Sequence, residues 1–292
     1  MRKIKFSKMV ASGNDFVVIQ EGRRPEARRY KFLARNICNR KYGIGADGLL
    51  VLEKSKNADI KMRIFNADGS EAEMCGNGAR CAAVWLGSQS RKVAKSHVDI
   101  ETKAGIIKSQ INGDKVRIKL TDPKGLKLGI PIKVNGRNIR VNFINTGVPH
   151  TVIFVEGLDK IDIFNMGRGV RYHKQFAPKG TNVNFMEVLG KHSIKVRTYE
   201  RGVEDETLAC GTGAAAAAII TSGKLANGST GSPSLEPSRA KSRDWQTGKQ
   251  KINIHTKGGE ILKVYFDRTD NRFHNVWLEG LARIAYKGVY NV

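Results

Sequence analysis

The sequence contains no run of the roughly 18 consecutive apolar residues that a membrane-spanning helix requires. Its basic N-terminus has no apolar stretch followed by a small-residue cleavage site, so we expect no signal peptide. The 292 residues are long for one compact domain and sufficient for two, and 40% of them are apolar. We therefore expect a soluble, cytoplasmic protein of two domains with no membrane partner.

Cysteine is scarce. The chain has four cysteines, Cys38, Cys75, Cys81 and Cys210, and none belongs to a C-x-x-C pair. This spacing argues against a zinc site or a redox disulfide, and a secreted disulfide scaffold would be smaller and richer in cysteine. We interpret the four side chains as reduced thiols and expect no bound metal.

Acidic residues are also few. There are 27 Asp and Glu against 51 Lys and Arg, which gives a net charge of +24. Such a charge favours contact with polyanions, but no aromatic-rich RNA-binding motif or helix-turn-helix pattern accompanies it. Because charge without a motif gives only non-specific affinity, we interpret it as a solvated basic surface and do not expect a nucleic-acid partner.

An internal repeat organises the chain. Cys75 begins the segment Cys-Gly-Asn-Gly-Ala, and Cys210, 135 positions later, begins Cys-Gly-Thr-Gly-Ala. Three further blocks recur in the same order at an offset of 134 or 135 positions: 13–19 with 147–153, 45–47 with 180–182, and 60–65 with 194–199. The repeat predicts two diverged copies of one α/β unit, each ending in a turn that opens a helix.

The two copies are predicted to occupy residues 1–124 and 125–281. A Gly/Ser/Pro-rich and then basic stretch, 222–250, is expected to be a flexible surface insertion in the second copy. The dipeptides Asn112-Gly113 and Asn135-Gly136, flanked by β-branched residues, predict hairpin turns.

Each Cys-Gly-x-Gly turn combines a thiol with a predicted helix N-terminus. The free N–H groups and the dipole of a helix start favour an anion, and the same field lowers the pKa of a thiol. The glycines of the two turns allow the backbone to approach a ligand closely. Each turn therefore offers a cradle for a carboxylate and a thiol that can act as a base.

Two such thiols suit the inversion of a carbon centre. One must remove a proton from one face of the carbon and the other must deliver a proton to the opposite face. Two helix starts aimed at the substrate carboxylate would stabilise the charge that develops there, so no cofactor is required. We therefore interpret Cys75 and Cys210 as an acid/base pair of an amino-acid epimerase, and Cys38 and Cys81 as inert buried side chains.

Polar residues precede both cysteines. Asn66 and Glu200 occupy near-equivalent places at the ends of paired strands, apart from a one-residue shift. The adjacent Glu200 and Arg201 suit a zwitterion, because the carboxylate can take an ammonium group and the guanidinium a carboxylate. A surface ion pair is the alternative interpretation of these two residues.

Several blocks of the sequence resemble the diaminopimelate epimerase family. They span most of the chain and are residues 13–16 (Gly-Asn-Asp-Phe), 43–48 (Gly-Ile-Gly-Ala-Asp-Gly), 66–71 (Asn-Ala-Asp-Gly-Ser-Glu), 75–81 (Cys-Gly-Asn-Gly-Ala-Arg-Cys), 149–150 (Pro-His), 181–184 (Thr-Asn-Val-Asn), 200–202 (Glu-Arg-Gly) and 206–213 (Glu-Thr-Leu-Ala-Cys-Gly-Thr-Gly). The first and second cysteine blocks are very specific in combination.

The resemblance implies a mixed α and β (α/β, α+β) fold of two pseudo-symmetric domains. Each would be a curled sheet around a central helix, with the active site in the cleft between them and the C-terminal strand, 282–292, returning to the first domain. It implies a homodimer, an amino-acid substrate, and interconversion of LL- and meso-diaminopimelate in lysine biosynthesis. Cys75 and Cys210 would be catalytic, His150 would support them, and the substrate would contact Asn14, Asn66, Gly76, Asn77, Asn182, Glu200, Arg201, Gly211 and Thr212.

The sequence departs from the family pattern at a few places. Val148 stands where many members have asparagine, and Gly48 where some have glutamine. A racemase of another amino acid in the same superfamily, similar to proline racemase, is therefore one alternative. A basic binding protein on a retired epimerase scaffold, which the charge alone supports, is the other.

Overall fold

The computed structural model describes residues 3–21, 27–89, 96–225, 248–269 and 272–291. The chain divides into one unit of Met1–Lys119 with Glu279–Val292 and a second of Leu120–Leu278. The boundaries between the units thus lie a few residues before 124 and 281, the ends of the two copies predicted from the sequence. The Leu120 N–H already donates to the Val276 carbonyl, inside the second unit.

The first unit is a sheet with two helices. Its elements are β1 (Lys3–Ala11), β2 (Asn14–Gln20), α1 (Ala27–Ile37), β3 (Gly48–Glu53), β4 (Ile60–Asn66), β5 (Glu71–Ala72), α2 (Gly76–Gln89), β6 (His97–Thr102), β7 (Gly105–Asn112), β8 (Lys115–Lys119) and β18 (Arg283–Asn291). The strands pair in the order β18-β1-β2-β3-β4-β6-β7-β8. The pairs β2–β3 and β4–β6 are parallel and the others antiparallel.

The second unit repeats this arrangement. Its elements are β9 (Lys124–Val134), β10 (Arg137–Asn145), β11 (Pro149–Phe154), α3 (Ile163–Arg171), β12 (Asn182–Gly190), β13 (Ser193–Glu200), β14 (Asp205–Thr207), α4 (Gly211–Leu225), β15 (Gly248–Thr256), β16 (Ile261–Thr269) and β17 (Arg272–Leu281). The order β9-β10-β11-β12-β13-β15-β16 again has parallel pairs at β11–β12 and β13–β15. Strand β17 ends in the first unit, where Arg117 of β8 forms an ion pair with Glu279.

One helix forms the centre of each unit. Helix α2 contacts strands β1 to β4, β6 to β8 and β18, and α4 contacts β10 to β13, β15 and β16. Both helices are buried on nearly every side: residues 79–83 and 214–220 are 3% exposed or less. A helix that is buried on all its faces lies in a core. The sheets therefore curl around these helices, and the predicted fold class is confirmed.

Turn glycines also repeat between the units. Gly13 lies in the turn between β1 and β2 with φ of 84°, and Gly147 lies in the equivalent turn between β10 and β11 with φ of 108°. Gly45 and Gly180 precede the equivalent strands β3 and β12 with φ of 77° and 65°. Such φ values favour glycine. The predicted hairpins are also present, with β7–β8 turning at Gly113 and β9–β10 at Asn135 and Gly136.

The predicted insertion is shorter at both ends than expected. Residues 222–225 continue α4 and residues 248–250 belong to β15. Its remaining part, 226–247, lies outside the described residues. Within the described ranges, no helix combines the length and apolar character needed to cross a membrane.

Candidate active site

The two predicted catalytic cysteines occupy the same position in their units. The Cys75 carbonyl accepts the first hydrogen bond of α2, from the Ala79 N–H at 2.9 Å, and the Cys210 carbonyl accepts that of α4, from Ala214 at 2.8 Å. Each cysteine is thus the N-cap of a central helix, where backbone N–H groups are free and negative charge is favoured. Both thiols are outside any disulfide and partly exposed.

The glycines after Cys210 are required by packing. A Cβ on Gly213 would lie 2.2 Å from Asn184 Oδ1, and one on Gly211 would lie 2.7 Å from Leu278 Cδ2. The sequence suggested close approach to a ligand as their purpose. In the structure, the space beside Gly213 is occupied by the Asn184 amide of the same unit, which brings polar groups close to the helix start.

The sulfur of Cys75 faces backbone. The Gly78 N–H donates to Sγ at 3.5 Å. The next residue, Asn77, is buried, and its Nδ2 donates to Asn14 Oδ1 at 2.6 Å. The structure therefore joins two predicted substrate ligands, Asn14 and Asn77, directly beside the start of α2.

The sulfur of Cys210 faces side chains. Its thiol is a hydrogen-bond partner of the largely buried Glu200 carboxylate, and Thr212 Oγ1 lies 3.6 Å from Sγ. Burial raises the pKa of Glu200, and the contact with Cys210 acts in the opposite direction. The two cysteines thus share a backbone position but differ in the charge and polarity around the sulfur.

His150 supports this second site as a neutral ring. Asn184 Nδ2 lies 3.0 Å from the Thr151 carbonyl and 3.1 Å from His150 Nδ1, and a carbonyl can only accept. Nδ2 is therefore the amide nitrogen and donates to Nδ1, which leaves the proton of the ring on Nε2. Nε2 donates to Thr212 Oγ1 at 2.9 Å, so the Thr212 hydroxyl proton is free to point at Cys210. Complete burial lowers the pKa of His150 to about 3.

Asn182 and Arg201 are held by backbone groups. Asn182 Oδ1 accepts from the Arg201 N–H at 2.8 Å, and its Nδ2 donates to the Pro149 carbonyl at 3.1 Å. The guanidinium of Arg201 donates to the Lys179 carbonyl at 3.3 Å. These contacts fix the start of β12 against the turn that follows β13.

The strand register removes the shift suspected between Asn66 and Glu200. Asn66 lies opposite Gly48, and the pairing of Val183 with Tyr199 puts Glu200 in the corresponding place opposite Asn182. The extra residue therefore lies in the loop before Cys210. The exposed Asn66 side chain donates to Ser70 Oγ at 2.9 Å.

An arginine–glutamate pair ties each of these loops to its sheet. Arg63 Nε donates to Glu71 Oε1 at 2.8 Å, and Arg197 donates to both oxygens of Glu206 at 2.6 and 2.7 Å. Each glutamate lies four residues before its cysteine. The pairs anchor the short strands β5 and β14, from which the chain continues to the two helix starts.

Sequence reasoning did not assign roles to three residues that hold the site. Arg80 and Asp47 bind the Asn77–Asn14 pair, and Asn184 sets the tautomer of His150. All three lie inside recognised motifs. A signal was present for Arg80, because residues three apart on a helix share a face. The contacts of Asp47 and Asn184 join separate strands, which no local spacing predicts.

Known proteins match most of this chain in sequence. The profile of the family described as Diaminopimelate epimerase matches residues 6–124 and 142–276. A curated relative from Aquifex aeolicus, named diaminopimelate epimerase, is 38% identical over 98% of this chain and 97% of its own length.

The chain belongs to the diaminopimelate epimerase family.

Archaeal members show a similar relationship. The diaminopimelate epimerase of Archaeoglobus fulgidus is 41% identical, covering 90% of this chain and 89% of its own length. That of Methanocella arvoryzae is 44% identical, covering 75% and 82%. The matched segments of this diaminopimelate epimerase family member include both cysteine turns.

Solved structures extend the likeness of the fold to other proteins. A PhzF-family phenazine biosynthesis protein of Bacillus anthracis superposes with a TM-score of 0.71 at 17% identity, covering 100% of both chains. A hydroxyproline epimerase from Agrobacterium vitis gives a TM-score of 0.64 at 16% identity, covering 99% of this chain and 92% of its own. At these identities the likeness concerns the fold alone.

Proposed function

We propose that the protein interconverts LL- and meso-diaminopimelate, as an isomerase of lysine biosynthesis, by moving a proton at one α-carbon between Cys75 and Cys210. One observation carries the proposal: two cysteines that form no disulfide cap the central helices of two equivalent units in a chain of the diaminopimelate epimerase family. The curated relatives bear the name of this enzyme over nearly the whole chain.

The contacts of the two sulfurs support different resting states in this proposal. Negative charge on Cys75 is favoured by the helix start and by the Gly78 N–H. Negative charge on Cys210 is opposed by the nearby Glu200 carboxylate, which instead accepts a hydrogen bond from the S–H group. In one direction, therefore, the Cys75 thiolate removes the α-proton and the Cys210 thiol protonates the carbanion from the other face. Cys75 ends as a thiol and Cys210 as a thiolate, and the reverse reaction exchanges their roles.

The other polar residues bind the substrate. The N–H groups of Gly76, Asn77, Gly211 and Thr212 hold the carboxylate next to the reacting carbon, because each lies at a helix start. Glu200 and Arg201, with Asn66 and Asn182 at the neighbouring strand ends, bind the second amino-acid group. A substrate without that group would leave these side chains unpaired, which disfavours a proline-type racemase.

Deuterium exchange tests the proposal directly. Purified protein without added cofactor should exchange the α-proton of LL-diaminopimelate with D2O and produce the meso isomer. Cys75→Ser and Cys210→Ser should each reduce inversion by several orders of magnitude. Cys81→Ala, a fully buried thiol in the same helix as Cys75, is the matched control and should retain activity.

Two results would contradict this assignment. Full activity in either serine variant would exclude the two-thiol mechanism. Exchange of proline or hydroxyproline in place of diaminopimelate would favour the alternative racemase.

Three expectations from the sequence stay predictions. A homodimer would give twice the chain mass of 32.3 kDa in light scattering. A cytoplasmic location can be checked by cell fractionation. Tight, salt-sensitive binding of nucleic acid without epimerase activity would instead favour the basic binding protein.

A further inference from the structure

A directional chain of hydrogen bonds lies beside the start of α2. Arg80 Nη2 donates to Asn77 Oδ1 at 2.7 Å, Asn77 Nδ2 donates to Asn14 Oδ1 at 2.6 Å, and Asn14 Nδ2 donates to Asp47 Oδ2 at 3.0 Å. The Arg80 side chain is fully buried and also donates to Ser12 Oγ. Arg40 in turn donates to the second oxygen of Asp47 at 2.8 Å.

The two ends of this chain fix its direction. A guanidinium can only donate hydrogen bonds, and an ionised carboxylate can only accept them. Arg80 therefore turns the oxygen of Asn77 towards itself and its amide nitrogen towards Asn14. Asp47, beside the Arg40 cation, turns the nitrogen of Asn14 towards itself. Neither amide can flip without placing two donors or two acceptors against each other.

The fixed direction determines what the amides offer to a ligand. Each amide nitrogen carries two hydrogens, and the chain uses one from Asn77 and one from Asn14. One N–H of each amide lies outside this chain of bonds, and Asn77 itself belongs to the first turn of α2, where the backbone N–H groups have no partner within the helix. We propose that Arg80 and Asp47 are positioning residues that hold Asn77 and Asn14 as donors to a substrate carboxylate. This proposal rests on the proposed function and deepens it.

The second unit shows that this chain is not needed to build the fold. At the positions equivalent to Arg80, Asn77 and Asn14 the second copy has Ala215, Thr212 and Val148. Helix α4 is buried as completely as α2 without any arginine in its first turns. A fully buried guanidinium is costly unless its hydrogen bonds are satisfied, so its presence in one copy alone indicates a task specific to that half of the site.

Exchanging the residue types of Asn14 and Asp47 tests whether the Asn14 amide serves as a donor to the substrate or only helps to hold the fold. Asn14→Asp places two carboxylates together, and Asp47→Asn removes the acceptor that fixes the chain. The double variant N14D/D47N restores both hydrogen bonds of residue 14, but it replaces the second N–H of Asn14 by a carboxylate oxygen. It also turns an amide nitrogen towards the Asp15 N–H, which donates to Asp47 Oδ2 at 3.1 Å in the wild type. Asp59→Asn, the same chemical change at an exposed carboxylate of the same unit, is the matched control.

The measured quantities are KM and kcat for LL-diaminopimelate, from α-proton exchange, and the thermal midpoint. We expect N14D/D47N to have a higher midpoint than Asn14→Asp alone, because the two carboxylates no longer meet, while its KM stays about 10-fold or more above that of the wild type, as for loss of a hydrogen bond to a charged group. Arg80→Met should raise the KM, and Arg80→Lys, which keeps a donor-only cation, should raise it less. Asp59→Asn should match the wild type in all three quantities.

Two outcomes would overturn the proposal. One is a wild-type KM in N14D/D47N, which would reduce the chain to a scaffold. The other is a side-chain amide NMR signal of Asn77 that Asp47→Asn and Arg80→Met leave unchanged, because the amide would then not be held by these residues. The NMR result does not depend on turnover, whereas absence of exchange by the wild type would count against the proposed function itself.

Discussion

A single buried histidine shows how position decides the protonation state. His150 is fully buried, and its two nitrogens are occupied by a donor, Asn184, and an acceptor, Thr212. A second proton on the ring would face the Asn184 donor in a site without water contact. Burial therefore lowers the pKa of His150 from 6.5 to about 3.

This shift predicts a dependence of stability on pH. Because the folded pKa is below the unfolded one, the unfolded chain binds a proton first as the pH falls. The contribution of His150 is complete above pH 6.5 and is lost progressively towards pH 3. Denaturant unfolding at pH 7.5 and 4.5 should show a smaller difference for His150→Gln than for the wild type. An equal difference in both proteins would exclude a buried neutral histidine.

Thr212 should act on the thiolate that Cys210 becomes after it has given up its proton. His150 Nε2 occupies one lone pair of Oγ1 and leaves the hydroxyl proton for Sγ, at 3.6 Å. Thr212→Val should therefore slow alkylation of Cys210 by iodoacetamide several-fold, because the thiolate is the nucleophile. Mass spectrometry can follow Cys75 in the same sample as an internal control. A parallel loss of rate at both cysteines would indicate a general change of structure instead.

Candidate residues could be selected from the sequence where chemistry and repetition coincide. Cys75 and Cys210 could be selected because the same Cys-Gly-x-Gly turn occurs once in each copy. Cys38 and Cys81 are buried, and burial raises the pKa of Cys38 to about 12, as expected for inert thiols. The tautomer of His150 could not be predicted, because it depends on an amide from another strand.

At the scale of elements, the anchored strands before the cysteines matter most. Arg197 on β13 binds Glu206 through two nitrogens and donates to the carbonyls of Leu158, Asp159 and Ile161. It is 9% exposed, so water replaces little of this network when the side chain is removed. The same arginine thus joins β14 to the turn that precedes α3.

Arg197→Met should lower the free energy of unfolding by about 2–4 kcal/mol, because Glu206 and three carbonyls lose their donor. Lys195→Met, two residues earlier on the strand, is the matched control. Its partner Asp159 is largely exposed, and exposed pairs contribute little, so its stability should stay close to wild type. Urea unfolding of the three proteins measures both effects. Equal losses in the two variants would show that strand β13 responds to any change of charge.

The elements themselves followed well from the sequence. The dipeptides Asn112-Gly113 and Asn135-Gly136 predicted the turns of the hairpins β7–β8 and β9–β10, because turn chemistry is a local property. The all-round burial of α4 was implied by the family resemblance and not by its local pattern, although residues 214–218 are all alanine. Its burial depends on the curl of the surrounding sheet, which no local pattern encodes.

At the scale of the whole molecule, the last strand completes the first unit. Strand β18 pairs with β1 from Lys3 to Val10, and Phe6 packs edge-to-face against Tyr286 at 5.9 Å. In the second unit, β9 occupies the corresponding place beside β10. The first unit therefore cannot be complete until the whole chain has been synthesised.

A chain that ends at Ala282 should lose this strand and expose the edge of β1. We expect limited proteolysis to give new cuts within residues 3–119 that the full-length protein does not give, while the rate of cutting within residues 120–225 stays as in the full-length protein. Full-length protein with a short Gly/Ser extension is the control for an altered C-terminus. Equal protection of both units in the truncated chain would show that β18 adds no stability to the first unit.

The equivalent strand ends of the two units differ in charge. Asn66 in one copy and Glu200 in the other occupy matching places, opposite Gly48 and Asn182. A carboxylate can pair with an ammonium group, whereas an amide offers a donor and an acceptor without charge. Duplication has therefore preserved the backbone of this position but not its binding preference.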